Sequence, residues 1–298
     1  MPAERGSFMK RSRIHVVLND DLVFDVVDSG PLEGEPVVLL HGFPQTSSSW
    51  ADVSAHLHQR GYRTFAMNQR GYTPFACPRG RFAYRMSALV RDTIELLNEI
   101  SAPEVHLVGH DWGAAVAWST AARHPERVRT LTAVSVPHSA AFVRSMLTSD
   151  QALRSFYMGL FQVPWLPEML IRRNRGLLAR ALSSTGMPSA QIEAVHEEIV
   201  QTGALTGALN WYRAMLLDNP LEVMRKVAVP TTHVWGAKDT ALSKQGAGLT
   251  QRYVTGDYRF VTLPDATHWI PDQNADELAL IIHERASTNR IAPTIPGT

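Results

Sequence analysis

Val105-His106-Leu107-Val108-Gly109-His110-Asp111-Trp112-Gly113-Ala114 is the stretch on which the fold turns. Residues 105–108 are a short apolar run without alternation, the pattern of a strand buried on both faces of a parallel sheet. Residues 114–123 are alanine-rich and stop ahead of Pro125, which reads as a helix. Between them lies Gly-x-Asp-x-Gly, the form of a nucleophile elbow. In such an elbow small residues flank a tight strand-to-helix turn that lifts one side chain above the sheet. Here that side chain is the carboxylate of Asp111. A plain turn that happens to hold an acid has the same five residues, so the surroundings must decide.

On both sides the alternation continues. Residues 37–40, 64–67 and 128–136 read as further buried strands, and 86–100 as an amphipathic helix stopped by Pro103. Residues 231–235 and 258–263 read as strands, followed by an amphipathic helix over 274–285. Residues 16–18 and 22–27 read as paired strands around the polar turn Asn19-Asp20-Asp21. Strands alternating with helices imply an α/β fold with a mostly parallel, doubly wound sheet. From 139 to 224 strand character vanishes, and apolar residues recur among Gly and Pro breaks as in several short helices. The expected organisation is a core of 1–138 and 225–298 with a helical cap, or lid, inserted at 139–224. The tail 291–298 carries two prolines and is expected to fray.

The 298 residues are 45% hydrophobic, and 29 basic against 28 acidic side chains leave a net charge of +1. That balance argues against a nucleic-acid partner, because neutralising phosphates takes an excess of Lys and Arg. Arg172, Arg173, Arg175 and Arg180 read as a solvated helix face. Cys77 is the single cysteine, so neither an intrachain disulfide nor a thiolate metal site is available. No apolar run reaches the roughly 18 residues of a membrane span, and no secretory apolar region follows the basic N-terminus. A soluble, cytoplasmic protein is expected, without cofactor or metal. His56 and His58 lie two apart on a helix, and His106 and His110 straddle a strand and its turn. Neither is a metal-ligating spacing. A homodimer is allowed by the sequence and not decided by it.

Two residues complete a catalytic order begun by Asp111. Asp239 follows the strand 231–235, and His268 follows the strand 258–263. Nucleophile, acid, histidine is a hydrolase triad's order along the chain, and open α/β sheets build their sites at the carboxyl ends of strands. His41-Gly42-Phe43-Pro44 follows the strand 37–40, where the backbone N–H of Phe43 joins that of Trp112 as an oxyanion hole. Such donors are worth about 2.7 to 4 kcal/mol each in acyl transfer. His41 and His110 read as residues that shape these loops, and Asp265 is a nearby competitor for the acid position.

With these motifs the sequence resembles the α/β-hydrolase superfamily, and within it the epoxide hydrolases, over nearly its whole length. The resemblance rests on His41-Gly42-Phe43-Pro44, Gly109-His110-Asp111-Trp112-Gly113, Trp235-Gly236-Ala237-Lys238-Asp239 and Thr267-His268-Trp269-Ile270-Pro271. It rests also on the segments Tyr157-Met158-Gly159-Leu160-Phe161-Gln162 and Leu209-Asn210-Trp211-Tyr212-Arg213. It implies the α/β-hydrolase fold, with Asp111 as nucleophile, His268 as base and Asp239, in the Trp-Gly-x-x-Asp form, as the partner of His268. It further implies that Tyr157 and Tyr212 are the two cap tyrosines that face the nucleophile in that family. Taken singly, each tyrosine reads as a packing residue; the matching pair is what discriminates.

An aspartate nucleophile changes the reaction. At pH 7 it is already anionic and attacks a saturated carbon directly, giving an alkyl ester that water then cleaves. The chain has no Gly-x-Ser-x-Gly for an acyl-serine route. Opening an epoxide releases an alkoxide, and phenols with an ordinary pKa of about 10 remain donors to meet it. His268, expected neutral with an ordinary pKa of about 6.5, takes a proton from water while Asp239 holds its tautomer. The expected product is a vicinal diol, and Phe156, Phe161, Trp165 and Trp211 suggest an apolar epoxide. A haloalkane dehalogenase shares the triad, but many have Asn where Phe43 stands, and they do not need the tyrosine pair. Fluoroacetate-type dehalogenases resemble sequences with Arg in place of Trp112. From another class, a non-catalytic ligand-binding protein could retain the same scaffold.

Overall fold

The computed structural model describes residues 12–18 and 22–288, so the turn at 19–21 and the tail 291–298 lie outside the described residues. Eight strands form one sheet: β1 (Ser12–Leu18), β2 (Leu22–Ser29), β3 (Glu35–Leu40), β4 (Tyr62–Met67), β5 (Val105–His110), β6 (Val128–Val134), β7 (Thr231–Gly236) and β8 (Tyr258–Leu263). Their order is β1-β2-β4-β3-β5-β6-β7-β8. β1 pairs antiparallel with β2, and β2 with β4; every other pairing is parallel. The α/β expectation with a mostly parallel sheet is met.

The unalternating runs follow from helices on both faces. In β3, Val37 and Leu39 enter one apolar cluster and Val38 and Leu40 the other, as the two-residue period of a strand requires. The first cluster is closed by Val53 and Leu57 of Ala51–Gln59 and by Leu278 and Ile282 of Ala275–Ser287. The second is closed by Leu89, Leu96 and Leu97 of Met86–Glu99 and by Val116 and Ala117 of Trp112–Arg123. Each such large side chain contributes about 1.5 to 3 kcal/mol when it leaves water.

Two boundaries next to the site differ from the sequence reading. β5 runs on to His110, so that residue belongs to the strand rather than its turn, and the helix starts at Trp112. The elbow is a single residue, Asp111. β6 stops at Val134 instead of continuing to 136, because Ser135 takes a left-handed φ of 67° that a strand cannot hold.

Between β6 and β7 the described chain forms only helices, from Ser139–Thr148 to Pro220–Val223. Arg172, Arg173 and Arg180 are exposed there, as a solvated face requires. This helical stretch packs onto the second cluster through Leu209, Trp211 and Tyr212. The Trp211 indole donates to Arg70 O at 2.8 Å, pinning Leu205–Ala214 to the loop after β4. Arg213 grips buried Glu168 in a fork of 2.8 and 2.9 Å. Removing one partner of such a pair costs about 3 to 5 kcal/mol, since the other is left charged and buried.

Candidate active site

β3 connects outward to β4 while β5 lies on its other side, so the gap between the carboxyl ends of β3 and β5 is a topological switch point. Asp111 leaves β5 at that gap, and the His41–Gly42–Phe43–Pro44 loop leaves β3 beside it. Asp111 has φ 50° and ψ −121°, an unfavourable backbone for a residue with a side chain. The turn closes only because its flanks are bare. A Cβ on Gly109 would lie 2.2 Å from Gly113 O, and one on Gly113 would lie 2.1 Å from Leu40 O.

The strained turn presents the Asp111 carboxylate to a set of donors. Phe43 N–H donates to Oδ1 at 2.8 Å, and the backbone N–H of Trp112 also bonds this carboxylate. Oδ2 lies 3.4 Å from His268 Nε2. On the far side of the ring, Nδ1–H donates to Asp239 Oδ2 at 2.8 Å. Asp239 is itself fixed: its Oδ1 accepts from Ala241 N at 2.7 Å and Leu242 N at 2.9 Å. Asp265 is exposed and pairs with Lys238 at 2.7 Å, so it does not compete for His268.

These contacts set the charges. Burial alone pushes the His268 pKa down, but the Asp239 charge and hydrogen bonds to Asp111 and Asp239 outweigh it and hold the ring at about 10. Burial likewise pushes Asp111 up, and its contacts with His268, His110 and the Trp112 N–H override that and lower it. The expectation of a neutral His268 is therefore corrected for the resting site. A proton on the ring is favoured because it lies between two carboxylates, of which the sequence reading counted only Asp239. Burial keeps His41 and His110 neutral, each lowered to about 4. His41 Nε2 accepts from Gln69 N at 3.0 Å, and His110 Nε2–H donates to His268 O at 2.9 Å, so both shape loops as expected.

Tyr157 and Tyr212 stand on separate helices, Phe156–Phe161 and Leu205–Ala214, with ring centroids 6.1 Å apart. Gln162 donates to Tyr212 O at 2.8 Å and Arg213 to Phe161 O at 2.9 Å, which ties the two segments together. Burial, with the nearby Asp111 charge, raises both phenols above their ordinary value, so both keep their protons. The Trp112 side chain hydrogen-bonds Tyr212 and packs edge-on to it at 5.1 Å.

Asp111, His268, both tyrosines and Phe43 line one cavity of about 430 Å³ whose remaining walls are mostly apolar, among them Leu160, Phe161 and Trp269. The sequence reading brought these residues together but missed some that hold them. Ser135 Oγ–H donates to His268 O at 2.8 Å. Trp269 packs edge-on to His268 at 5.0 Å, and its indole donates to Thr185 at 2.9 Å. No motif marks Ser135; Trp269 is legible only as the neighbour of His268. Among the described residues no three His, Cys, Asp or Glu side chains gather as a metal site, and no helix is long and apolar enough to cross a membrane.

Sheet order and elbow are those of the α/β-hydrolase fold, and the family model described as alpha/beta hydrolase fold matches residues 35–275. The chain belongs to the α/β-hydrolase fold family, in the branch that holds the epoxide hydrolases. Among its relatives are the Bacillus subtilis AB hydrolase superfamily protein YfhM, 34% identical over 85% of this chain and 91% of that protein. Epoxide hydrolase 3 of Xenopus tropicalis is 32% identical over 88% of this chain and 74% of its own. Among solved structures, an epoxide hydrolase from Vigna radiata superposes with a TM-score of 0.79 at 25% identity, covering 93% of this chain and 98% of that one.

Proposed function

We propose that this chain hydrolyses an apolar epoxide to a vicinal diol by way of an ester on Asp111. The observation that carries the reading is the division of the Asp111 carboxylate. Oδ1 is held by Phe43 N–H at 2.8 Å, while Oδ2 is directed to the side of His268, in a cavity shared with two protonated phenols. Oδ2 attacks a ring carbon, the C–O bond of the epoxide breaks, and one tyrosine gives its proton to the departing oxygen, becoming a phenolate, while the other donates a hydrogen bond to it. General acids of this kind contribute about 10² to 10⁴-fold. The ester carbonyl oxygen is then Oδ1, already among the donors that stabilise an oxyanion when water adds.

Esterification also supplies the base. Once Asp111 carries no charge, His268 loses one of the two carboxylates that hold its proton, and burial favours the neutral ring, whose proton passes to the phenolate left by the first step. His268 then takes a proton from water, and Asp239 steadies the imidazolium that forms. The hydroxide so formed adds to Cγ of Asp111, Oδ2 leaves with the diol and takes the proton held by His268, and the new carboxylic acid returns its own proton to His268, which restores the carboxylate and the resting imidazolium. The stretch 139–224 acts as the cap that brings the tyrosines to the core and closes the site over its substrate.

Epoxide hydrolases among the relatives support the substrate class. A haloalkane dehalogenase would need the Trp112 indole as a halide donor, and that side chain is engaged with Tyr212. The test is a panel of aromatic and aliphatic epoxides beside chloro- and bromoalkanes, with diol and halide both quantified. Diol from epoxides without halide release supports the assignment; halide release without diol replaces it with the dehalogenase reading.

A further inference from the structure

A second cavity, of about 280 Å³, lies in the helical insertion behind the catalytic one. The two share a wall: Ile171, Leu178 and Leu182 line both. The shared wall is made of three aliphatic side chains, each with alternative staggered rotamers. Beyond the partition, Ala179, Ile192 and Val200 continue the apolar lining. The lining is completed by exposed Glu193 and half-buried His196, whose Nε2 is buried with no hydrogen-bond partner among the described residues. An unpaired buried nitrogen is costly unless something meets it. His196 also opens a π-helical turn, His196–Gln201, a geometry frequent at functional sites.

We propose that the second cavity is an extension subsite for the distal end of an elongated, uncharged aliphatic substrate. The chain passes between Ile171, Leu178 and Leu182, and a terminal hydroxyl or carbonyl meets His196 Nε2. The neighbouring Glu193 carboxylate disfavours a terminal carboxylate there. As an account of substrate choice this rests on the epoxide hydrolase reading; as an account of binding it does not.

Both are tested on the full chain with Ala179→Phe and Val200→Phe, which fill the second cavity from separate elements and leave the catalytic lining unchanged. Dodecanol, an unreactive long-chain probe, is titrated alongside turnover of epoxybutane and epoxydodecane. Each buried methylene is worth about fourfold in affinity. Both variants are therefore expected to bind dodecanol, and to turn over epoxydodecane by kcat/KM, at least about tenfold less well, with epoxybutane turnover unaltered. Equal dodecanol affinity in all three proteins, or no dodecanol binding by the unsubstituted chain, overturns the subsite. Selective dodecanol binding by a chain that turns over neither epoxide upholds the subsite and removes the hydrolase reading instead. The two substitutions are independent, and thermal melting identifies a variant that has lost its fold, leaving the other to decide.

Discussion

His268 Nε2 lies 3.4 Å from Asp111 Oδ2 while Nδ1 lies 2.8 Å from Asp239 Oδ2, so one ring answers to two buried carboxylates. In the proposed cycle that bridge stores a proton in the resting site and gives it up when Asp111 is esterified. It makes a single residue a charge-balancing cation in one half of the cycle and a base in the other.

The stored proton has a signature in stability. A pKa raised from 6.5 to about 10 adds stability that is fully present below 6.5 and is lost as pH rises through the folded value. Between those limits the folded ring holds a proton that the unfolded one has lost, so stability falls by at most about 1.4 kcal/mol per pH unit. Asp111→Asn removes one carboxylate and should flatten this alkaline decline. Thermal melts from neutral pH to about 10 measure it; equal slopes in the two proteins would place the proton elsewhere.

Replacing the base separates the two halves of the reaction. His268→Gln puts an uncharged amide in place of the imidazolium beside Asp111 and removes proton abstraction from water, which should slow ester hydrolysis by about 10² to 10⁴-fold. Intact-protein mass spectrometry after mixing with substrate should find the alkylated chain accumulating. A variant that neither turns over nor gains mass contradicts the assigned role.

In the proposed cycle the phenols act as acids in the first half. Tyr157→Phe and Tyr212→Phe should each slow alkylation, and the double substitution should slow it by at least about 10²-fold. Stopped-flow detection of the alkylation phase reads this directly, and an unchanged rate in the double variant excludes them as acids. Tyr212 also packs against Phe43, Trp112 and Phe161, so its variant is compared with the native chain by melting temperature.

Gly113→Ala tests the elbow as a device of packing. Its Cβ would stand 2.1 Å from Leu40 O, a backbone atom that cannot rotate away. Overpacking usually costs about 1 to 3 kcal/mol, and a clash with backbone should reach at least the upper value in chemical denaturation. A smaller loss would mean that the turn has slack.

Much of this arrangement was legible in the chain because its causes are local. Unalternating runs at 37–40 and 105–108 carry the mark of two-sided burial, and Gly109 and Gly113 mark a turn where a Cβ would meet backbone. Asp239 and His268 were legible because strand ends place them. The His268 charge was not, since it depends on a 3.4 Å approach to a residue 157 positions away. Ser135 was missed for the same reason: its hydroxyl matters only once the sheet has brought His268 O within 2.8 Å. The tyrosine pair was visible through family likeness alone, because its spacing is set by short helices whose packing no periodicity encodes.

The central claim is that an Asp111 oxygen, and not water, forms the first bond to substrate carbon. A single turnover in heavy-oxygen water, with excess protein over epoxide, tests it by mass spectrometry of the Asp111 peptide and of the diol. The account predicts label in Asp111 and an unlabelled diol, since water attacks the ester carbonyl and Oδ2 departs with the product. Label in the diol with none in Asp111 would mean that water opens the ring directly, and the ester intermediate would have to be abandoned.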